Sequence, residues 1–335
     1  MKLTVTRAPA QIPITLGWKE KQVITIICLN SFQKNGKLVT EQLGVESVGI
    51  TQVRFGNGEA KVKLDEDVSR KDVVVLADIG NYSGTYKLFG KVNRMTPDEN
   101  FQDIKRVISA INGKANSITV IMPLLYASRQ HRCTERESSD CVVALWELKN
   151  LGVSKIITVD AHDPSVGGFD NICPAESILK GAAIDSKNLI VISPDKGARQ
   201  RASVFARIMG CKTGTFDKRR NEVDTVVDLK YSGAAIPGKR VLVIDDIIAS
   251  GETILKVAKK LKNMGASEIN IISTFAFFNN GLTRFNSAYK NGFINKVYST
   301  NLSYISDKVQ RSPWFKEIDL TPLLAEIIEK LRVNL

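Results

Sequence analysis

Residues 241–255, VLVIDDIIASGETIL, decide the architecture. Four consecutive apolar residues, Val241 to Ile244, leave no polar face for water and predict a buried strand. From Glu252 to Met264, the residues Ile254, Val257, Ala258, Leu261 and Met264 recur at helical spacing and Gly265 follows as a stop, so a helix is expected there. Between the two, Ala249, Ser250 and Gly251 are small enough for their backbone N–H groups to wrap an anion. A helix N-terminus favours that, through both its unpaired donors and its dipole. Asp245 and Asp246, at the carboxyl end of the strand, would then accept hydrogen bonds from the hydroxyls of a sugar whose phosphate occupies the turn. In isolation, a DD-x4-G pattern fits an ordinary acidic strand-to-helix connection equally well, because short motifs recur by chance.

Working outward, the same alternation repeats. Strands are expected at 22–29, 72–80, 117–126, 155–162, 189–195 and 268–278, and helices at 97–113, 138–152 and 198–210. The helix at 97–113 turns Phe101, Ile104, Val107, Ile108 and Ile111 inward. A hairpin is expected over 49–66 around Gly56-Asn57-Gly58, a helical segment around Leu38 to Leu43, and two strands, 211–216 and 222–229, flanking the basic cluster DKRR at 217–220. Strands alternating with helices predict an α/β protein with mostly parallel sheets.

In such sheets the ligand lies beyond the carboxyl ends of the strands. Here those ends are polar in succession: Ala127 to Arg132, Asp160 to Asp163, Pro194 to Gly197, and Asp245-Asp246. Both histidines of the chain, His131 and His162, fall in these loops, although His131 sits in the charged run RQHRCTERE and reads as solvent-facing.

A length of 335 residues suggests about two domains, and 43% hydrophobic residues suffice for a core. No apolar run approaches the ~18 residues of a membrane span. The opening MKLTVTRAPAQIP lacks the apolar core of a secretory signal, so a cytoplasmic protein without a membrane partner is expected. Five scattered cysteines with no C-x2-C pair indicate neither a disulfide framework nor a zinc site. A net charge of +12 suits either a polyphosphate-handling protein or a nucleic-acid binder; aromatics interleaved with basic residues, which the second would favour, are absent.

Six motifs in order, RFGNGE (54–59), YASRQ (126–130), VDAH (159–162), SPDKGA (193–198), FDKRR (216–220) and VLVIDDIIASGET (241–253), resemble ribose-phosphate diphosphokinase, also called phosphoribosyl diphosphate synthetase. The likeness runs from about residue 24 to the end of the chain. It implies two phosphoribosyltransferase-like domains, residues 1–176 and 177–315, with 316–335 returning to the first. The implied reaction transfers the diphosphoryl group of ATP to the anomeric hydroxyl of ribose 5-phosphate, with Mg2+ as cofactor, in a homo-oligomer whose ATP site is shared between subunits.

By motif position the resemblance implies that Phe55, Asn57 and Glu59 hold the adenine across a subunit interface, and that Arg129 and Gln130 contact the nucleotide. It implies that His162 and Asp195 anchor the magnesium, and that Asp195, Lys196, Gly197 and Ala198 form the diphosphate turn. Ribose 5-phosphate falls to Asp245 and Asp246 and to the turn Ala249, Ser250, Gly251, Glu252 and Thr253. Lys218 and Arg220 are expected to close over the reacting phosphates on a mobile loop. Such cations suit a reaction that is catalysed by positioning and by neutralising charge on phosphate oxygens.

Two positions depart from the pattern: relatives commonly carry Asp at Ala249 and Gly at Glu252. Glu252 would repel a sugar phosphate unless its side chain points away. A catalytically silent regulatory paralogue, and a phosphoribosyltransferase sharing only the central motif, therefore stand as alternatives.

Overall fold

The computed structural model describes residues 24–130, 136–220 and 226–334, the side chains of 218–220, 226–228 and 333–334 excepted. Two sheets carry the fold. In chain order the first half contains β1 (Ile24–Cys28), α1 (Gln33–Leu43), β2 (Ser47–Val48), the hairpin β3 (Ile50–Arg54) and β4 (Ala60–Leu64), β5 (Asp72–Leu76), and a second hairpin of β6 (Thr85–Leu88) and β7 (Lys91–Arg94). There follow α2 (Pro97–Ile111), β8 (Ser117–Ile121), α3 (Asp140–Asn150), β9 (Lys155–Val159), β10 (Asp170–Ile172) and α4 (Ala175–Ala182). Six of these strands form an all-parallel sheet in the order β10-β9-β8-β5-β1-β2.

The second half contains β11 (Leu189–Ser193), α5 (Arg199–Met209), β12 (Lys212–Arg220), β13 (Val226–Gly233), β14 (Arg240–Ile248), α6 (Glu252–Asn263) and β15 (Glu268–Ala276). It ends with α7 (Thr283–Lys290), β16 (Lys296–Thr300), the short α8 (Asp307–Gln310), β17 (Phe315–Ile318) and α9 (Thr321–Asn334). The second sheet runs β13-β12-β11-β14-β15-β16-β17, parallel except for the antiparallel β12–β13 pair. β17 therefore extends the second sheet, and α9 packs on α1 beside the first.

Local chemistry explains the elements that frame the site. Thr96 caps α2 in a reciprocal capping box with Glu99, ahead of Pro97 at the first helical position. Its residues Phe101, Ile104, Val107, Ile108 and Ile111 are all buried, as their spacing predicts. The helix expected after the acidic strand is α6, and its Ile254, Val257, Ala258 and Leu261 are buried. Gly251 precedes it with φ +76°, and a Cβ there would stand 2.3 Å from the Phe285 ring, so both conformation and space exclude a side chain.

Apolar side chains collect in three layers. One lies beneath α2 and α3 and includes Val73, Val120 and Leu148; another lies beneath α6 and α7 and includes Val243, Ile271 and Phe285. The third is shared by the two sheets, joining Ile26 and Leu76 of the first to Val191 and Leu242 of the second through Phe205, Leu324 and Ile328. This continuous layer fixes the two carboxyl edges relative to one another.

Two expectations need correction. The strand read as Val241 to Ile244 continues to Ile248, because Ile247 and Ile248 keep pairing with Phe275 and Ala276 of β15. Its pairing with β11 ends earlier, at Ile192–Val243, so Asp245 and Asp246 lie inside a strand that has lost one neighbour. Lys218 and Arg220 stand on strand β12, opposite Leu229 and Val226 of β13, and not on a loop. A charged run has no apolar alternation to announce a strand; the partner strand supplies the ladder.

Candidate functional site

The carboxyl edges of the two sheets meet around Asp246. This residue, 4% exposed, places Oδ2 2.7 Å from Nδ1 of His162, which follows β9 in the first sheet. The Arg201 guanidinium of α5 lies 3.8 Å from the same oxygen and donates to Asp160 Oδ1 at 2.7 Å and to the Ala161 carbonyl at 3.3 Å. Thr274 of β15 donates to the other Asp160 oxygen at 2.5 Å. Asp160, the first residue after β9 to leave extended backbone, adopts φ +52°, a conformation the Arg201 and Thr274 contacts hold in place. Sequence reasoning placed Asp160 in a polar loop but did not find Arg201 or Thr274; a lone Arg inside a helix carries no local signal.

Burial raises the carboxyl pKa of Asp246, but the His162 hydrogen bond and the Arg201 charge outweigh it and hold the group below the usual carboxylate range. Its neighbour behaves oppositely. Burial, then the negative charges of Asp246 and Asp195, push Asp245 well above the ordinary value, with Arg201 opposing. The tandem carboxylates thus differ: the surroundings of Asp246 favour its ionised, accepting form, while those of Asp245 disfavour its charge. Since ionised Asp246 can only accept, the proton between it and His162 sits on Nδ1.

The turn 249–253 continues from the same strand. Ala249 and Ile248 are anchored through their carbonyls to Asn279 and Phe277 N–H groups at 2.9 and 2.8 Å. The Ser250 hydroxyl accepts from Glu252 N–H at 3.3 Å. Glu252 and Thr253 occupy the first turn of α6, whose leading N–H groups have no partners within the helix. The Glu252 carboxylate is paired with Lys256 at 2.8 Å and lies 3.9 Å from Arg284, so its charge is met by two cations.

Asp195 to Ala198 form a tight turn after β11, in which Asp195 Oδ1 accepts from Ala198 N–H at 3.1 Å and Ser193 Oγ donates to the Asp195 carbonyl. Lys196 and Arg199 reach toward Asp217 of β12 at 3.5 and 3.6 Å, tying this turn to the strand that carries Lys218 and Arg220. The side chains of Lys218 and Arg220, and all of His131, lie outside the described residues.

Arg129 and Gln130 are exposed on a cavity of about 560 Å³ between the two sheets. Tyr126 and Asp98 line it from the first half, and Ile247, Phe277 and Asn279 from the second. Tyr126 is fixed there by donating to Asp98 at 2.8 Å and by stacking on Phe101 at 4.3 Å between centroids. Phe55, Asn57 and Glu59 stand apart, on the turn joining β3 and β4, closed by Phe55 N–H to the Glu59 carbonyl at 2.7 Å and Glu59 N–H to Asn57 Oδ1 at 3.2 Å. That turn rests against the β6–β7 hairpin, which the sequence did not disclose.

Among the described residues no three His, Cys, Asp or Glu side chains are grouped to hold a metal ion alone. His162 and Asp195 are chemically able to take part in holding a divalent cation, and for a hard cation of this kind phosphates and water complete the coordination. Also among the described residues, no helix is long and apolar enough to cross a membrane.

Comparison with known proteins falls along the same two halves. Residues 24–152 match the family model for the N-terminal domain of ribose phosphate pyrophosphokinase, and residues 175–301 match the model for the phosphoribosyl transferase domain. A ribose-phosphate pyrophosphokinase of Mycoplasma pneumoniae is 29% identical over 292 residues, 83% of each chain. One from Thermotoga maritima is 27% identical over 314 residues, covering 90% of this chain and 92% of its own. The crystal structure of phosphoribosylpyrophosphate synthetase from Mycobacterium smegmatis has the same fold, with a TM-score of 0.79 over 93% of this chain and 99% of that one, at 23% identity.

Proposed function

The chain belongs to the ribose phosphate pyrophosphokinase family, and from that membership we propose that its cleft transfers the diphosphoryl group of ATP to the anomeric hydroxyl of ribose 5-phosphate, releasing AMP. The observation that carries this reading is the His162–Asp246 contact, which joins a loop of one sheet to the acidic strand of the other, one residue before Ile247 of the 560 Å³ cavity's lining. The alternative reading, a phosphoribosyltransferase, leaves unexplained the match of residues 24–152 to the N-terminal domain of ribose phosphate pyrophosphokinase.

In this reading the phosphate of ribose 5-phosphate sits on the N–H groups of the turn Ala249 to Thr253, and Asp245 and Asp246 take the ring hydroxyls. Asp246 is held in its accepting, ionised form by His162 and Arg201, while burial and the charges of Asp246 and Asp195 raise the carboxyl pKa of Asp245. Arg129 and Gln130 border the cavity where the nucleotide would lie, and the turn Asp195 to Ala198 would receive the diphosphate. Lys218 and Arg220 would meet the transferring group from β12, where the Asp217 pairings with Lys196 and Arg199 bring that strand against the diphosphate turn. The pairing of Glu252 with Lys256 is compatible with an occupied phosphate turn, because it offsets part of the repulsion that its sequence position implied.

The family needs a divalent cation, and we assign magnesium to His162 and Asp195. It would neutralise charge on the phosphate oxygens. Phe55, Asn57 and Glu59, distant in connectivity from this cleft, are assigned to the adenine of a neighbouring subunit's ATP in a homo-oligomer.

Incubating the protein with ribose 5-phosphate, ATP and magnesium should yield AMP in step with a product that orotate phosphoribosyltransferase consumes. Folded protein that binds ATP and forms no AMP, with or without inorganic phosphate, would overturn the proposal.

A further inference from the structure

The β6–β7 hairpin turns through two residues, Phe89 and Gly90, both with positive φ, +46° and +78°. Such two-residue turns favour Asn, Asp or Gly in the first position, because a side chain with a Cβ is strained in left-handed backbone. Phenylalanine is among the poorer choices there. Burial does not compensate for the strain, since Phe89 is 80% exposed, the most exposed large apolar side chain among the described residues.

The hairpin is not a free appendage. Phe89 N–H donates to the Gly56 carbonyl at 2.8 Å, within the turn that carries Phe55, Asn57 and Glu59. Leu88 Cδ1 lies so close to Gly58 that a Cβ on the glycine would meet it at 3.1 Å. One residue before that turn, the Arg54 guanidinium sits 5.4 Å over the Tyr86 ring while pairing with Asp103 at 2.6 Å. Tyr86 in turn donates to Glu99, the capping-box partner of Thr96 on α2. The hairpin tip and the 55–59 turn are therefore one braced unit presenting two exposed aromatic rings, Phe55 at 44% and Phe89 at 80%.

We propose that Phe89 is a second aromatic contact for the nucleobase of ATP, working with Phe55 as a base-stacking residue at the proposed adenine site. The inference rests on the assignment of Phe55, Asn57 and Glu59 to the adenine. Stacking of a base on an aromatic side chain provides affinity that any purine face can use, and the polar Asn57 and Glu59 beside it can select among base edges. The strained, exposed placement is then explained: the ring is kept for a ligand and contributes nothing to the fold.

The test uses Phe89→Asn in the full chain. Asparagine tolerates left-handed backbone, so the hairpin is retained and thermal stability is unchanged or raised. Equilibrium binding of a non-hydrolysable ATP analogue should weaken by about 5- to 50-fold, while inorganic tripolyphosphate, which has no base, binds as before. Phe89→Trp should restore analogue binding and report it by fluorescence quenching. Phe55→Ala runs in parallel. Weak binding by Phe55→Ala with parental binding by Phe89→Asn would overturn the role of Phe89 alone. Parental binding by both would overturn the adenine assignment together with this inference.

Discussion

His162 and Asp246 are separated by 84 residues in the chain, yet Nδ1 of one lies 2.7 Å from Oδ2 of the other. The contact spans the two sheets and is reinforced by Arg201, which touches Asp160 on the His162 side and Asp246 on its own. A residue assigned to the metal and a residue assigned to the sugar are thereby oriented by a single bond. Asp246→Asn keeps the shape and removes the charge, and AMP formation should fall about 100- to 1000-fold while the circular dichroism spectrum is preserved.

Arg201 faces two buried carboxylates. Replacing it with methionine leaves Asp160 and Asp246 without their shared cation, and the expected loss is about 3–5 kcal/mol in urea denaturation. Arg201→Lys should recover part of that stability, because it restores the charge without the fork that serves Asp160 and the Ala161 carbonyl together.

Asp78 stitches the halves together elsewhere, accepting from Ser303 Oγ at 2.8 Å, Tyr304 N–H at 2.8 Å and Gly80 N–H at 2.9 Å. Burial raises its carboxyl pKa from 3.8 to about 7, against the lowering effect of those hydrogen bonds. A folded value above the unfolded one means that this group's contribution to stability is whole below about pH 4 and is lost as pH rises through about 7. Across that window it should decline by about 1.4 kcal/mol per pH unit. Comparing denaturation midpoints of the parent and Asp78→Asn from pH 4 to 9 isolates the effect; parallel curves would show that the carboxyl titrates normally.

Glu252 is assigned to the phosphate turn, and Lys256 answers its charge at 2.8 Å. Lys256→Met should raise the KM for ribose 5-phosphate by about 2- to 5-fold, the scale of an exposed ion pair, with little change in kcat. The double variant Lys256→Met with Glu252→Gly should return KM to the parental value.

Lys218 is assigned to the transferring group. Lys218→Ala should therefore lower turnover by about 100-fold or more and leave ribose 5-phosphate binding, measured by calorimetry, nearly unaltered. Equal losses in both would remove the residue from its role.

Much of the fold was legible because burial imposes period. Val241 to Ile244 read as a strand and Ile254 to Leu261 as a helix face for the same reason that they are buried now: runs and stripes of apolar side chains have one way to leave water. Where charge replaced that period, reading failed. Lys218 and Arg220 lie on a strand whose ladder comes from β13, and Thr85 to Arg94 form a hairpin whose turn, Phe89-Gly90, carries no Asn-Gly signature.

The site divides in the same way. Asp245, Asp246 and the turn to Thr253 are contiguous, so spacing alone brought them together as a carboxylate pair ahead of a helix N-terminus. Spacing could not foresee that the carboxyl pKa of Asp246 would be held low while that of Asp245 is pushed up. That difference comes from His162, Arg201 and Asp195, groups distant in the chain that face the two carboxylates unequally. Nor could it foresee that Lys256 and Arg284 would take the charge of Glu252, or that Phe89 would be tied to Gly56. Sequence alone determined the alternation of strands and helices and the chemistry available at each strand end, because those depend on neighbours along the chain. Tertiary structure decided which of those ends meet and how far apart the acidities of the two carboxyls move, because electrostatic fields and hydrogen bonds act through space.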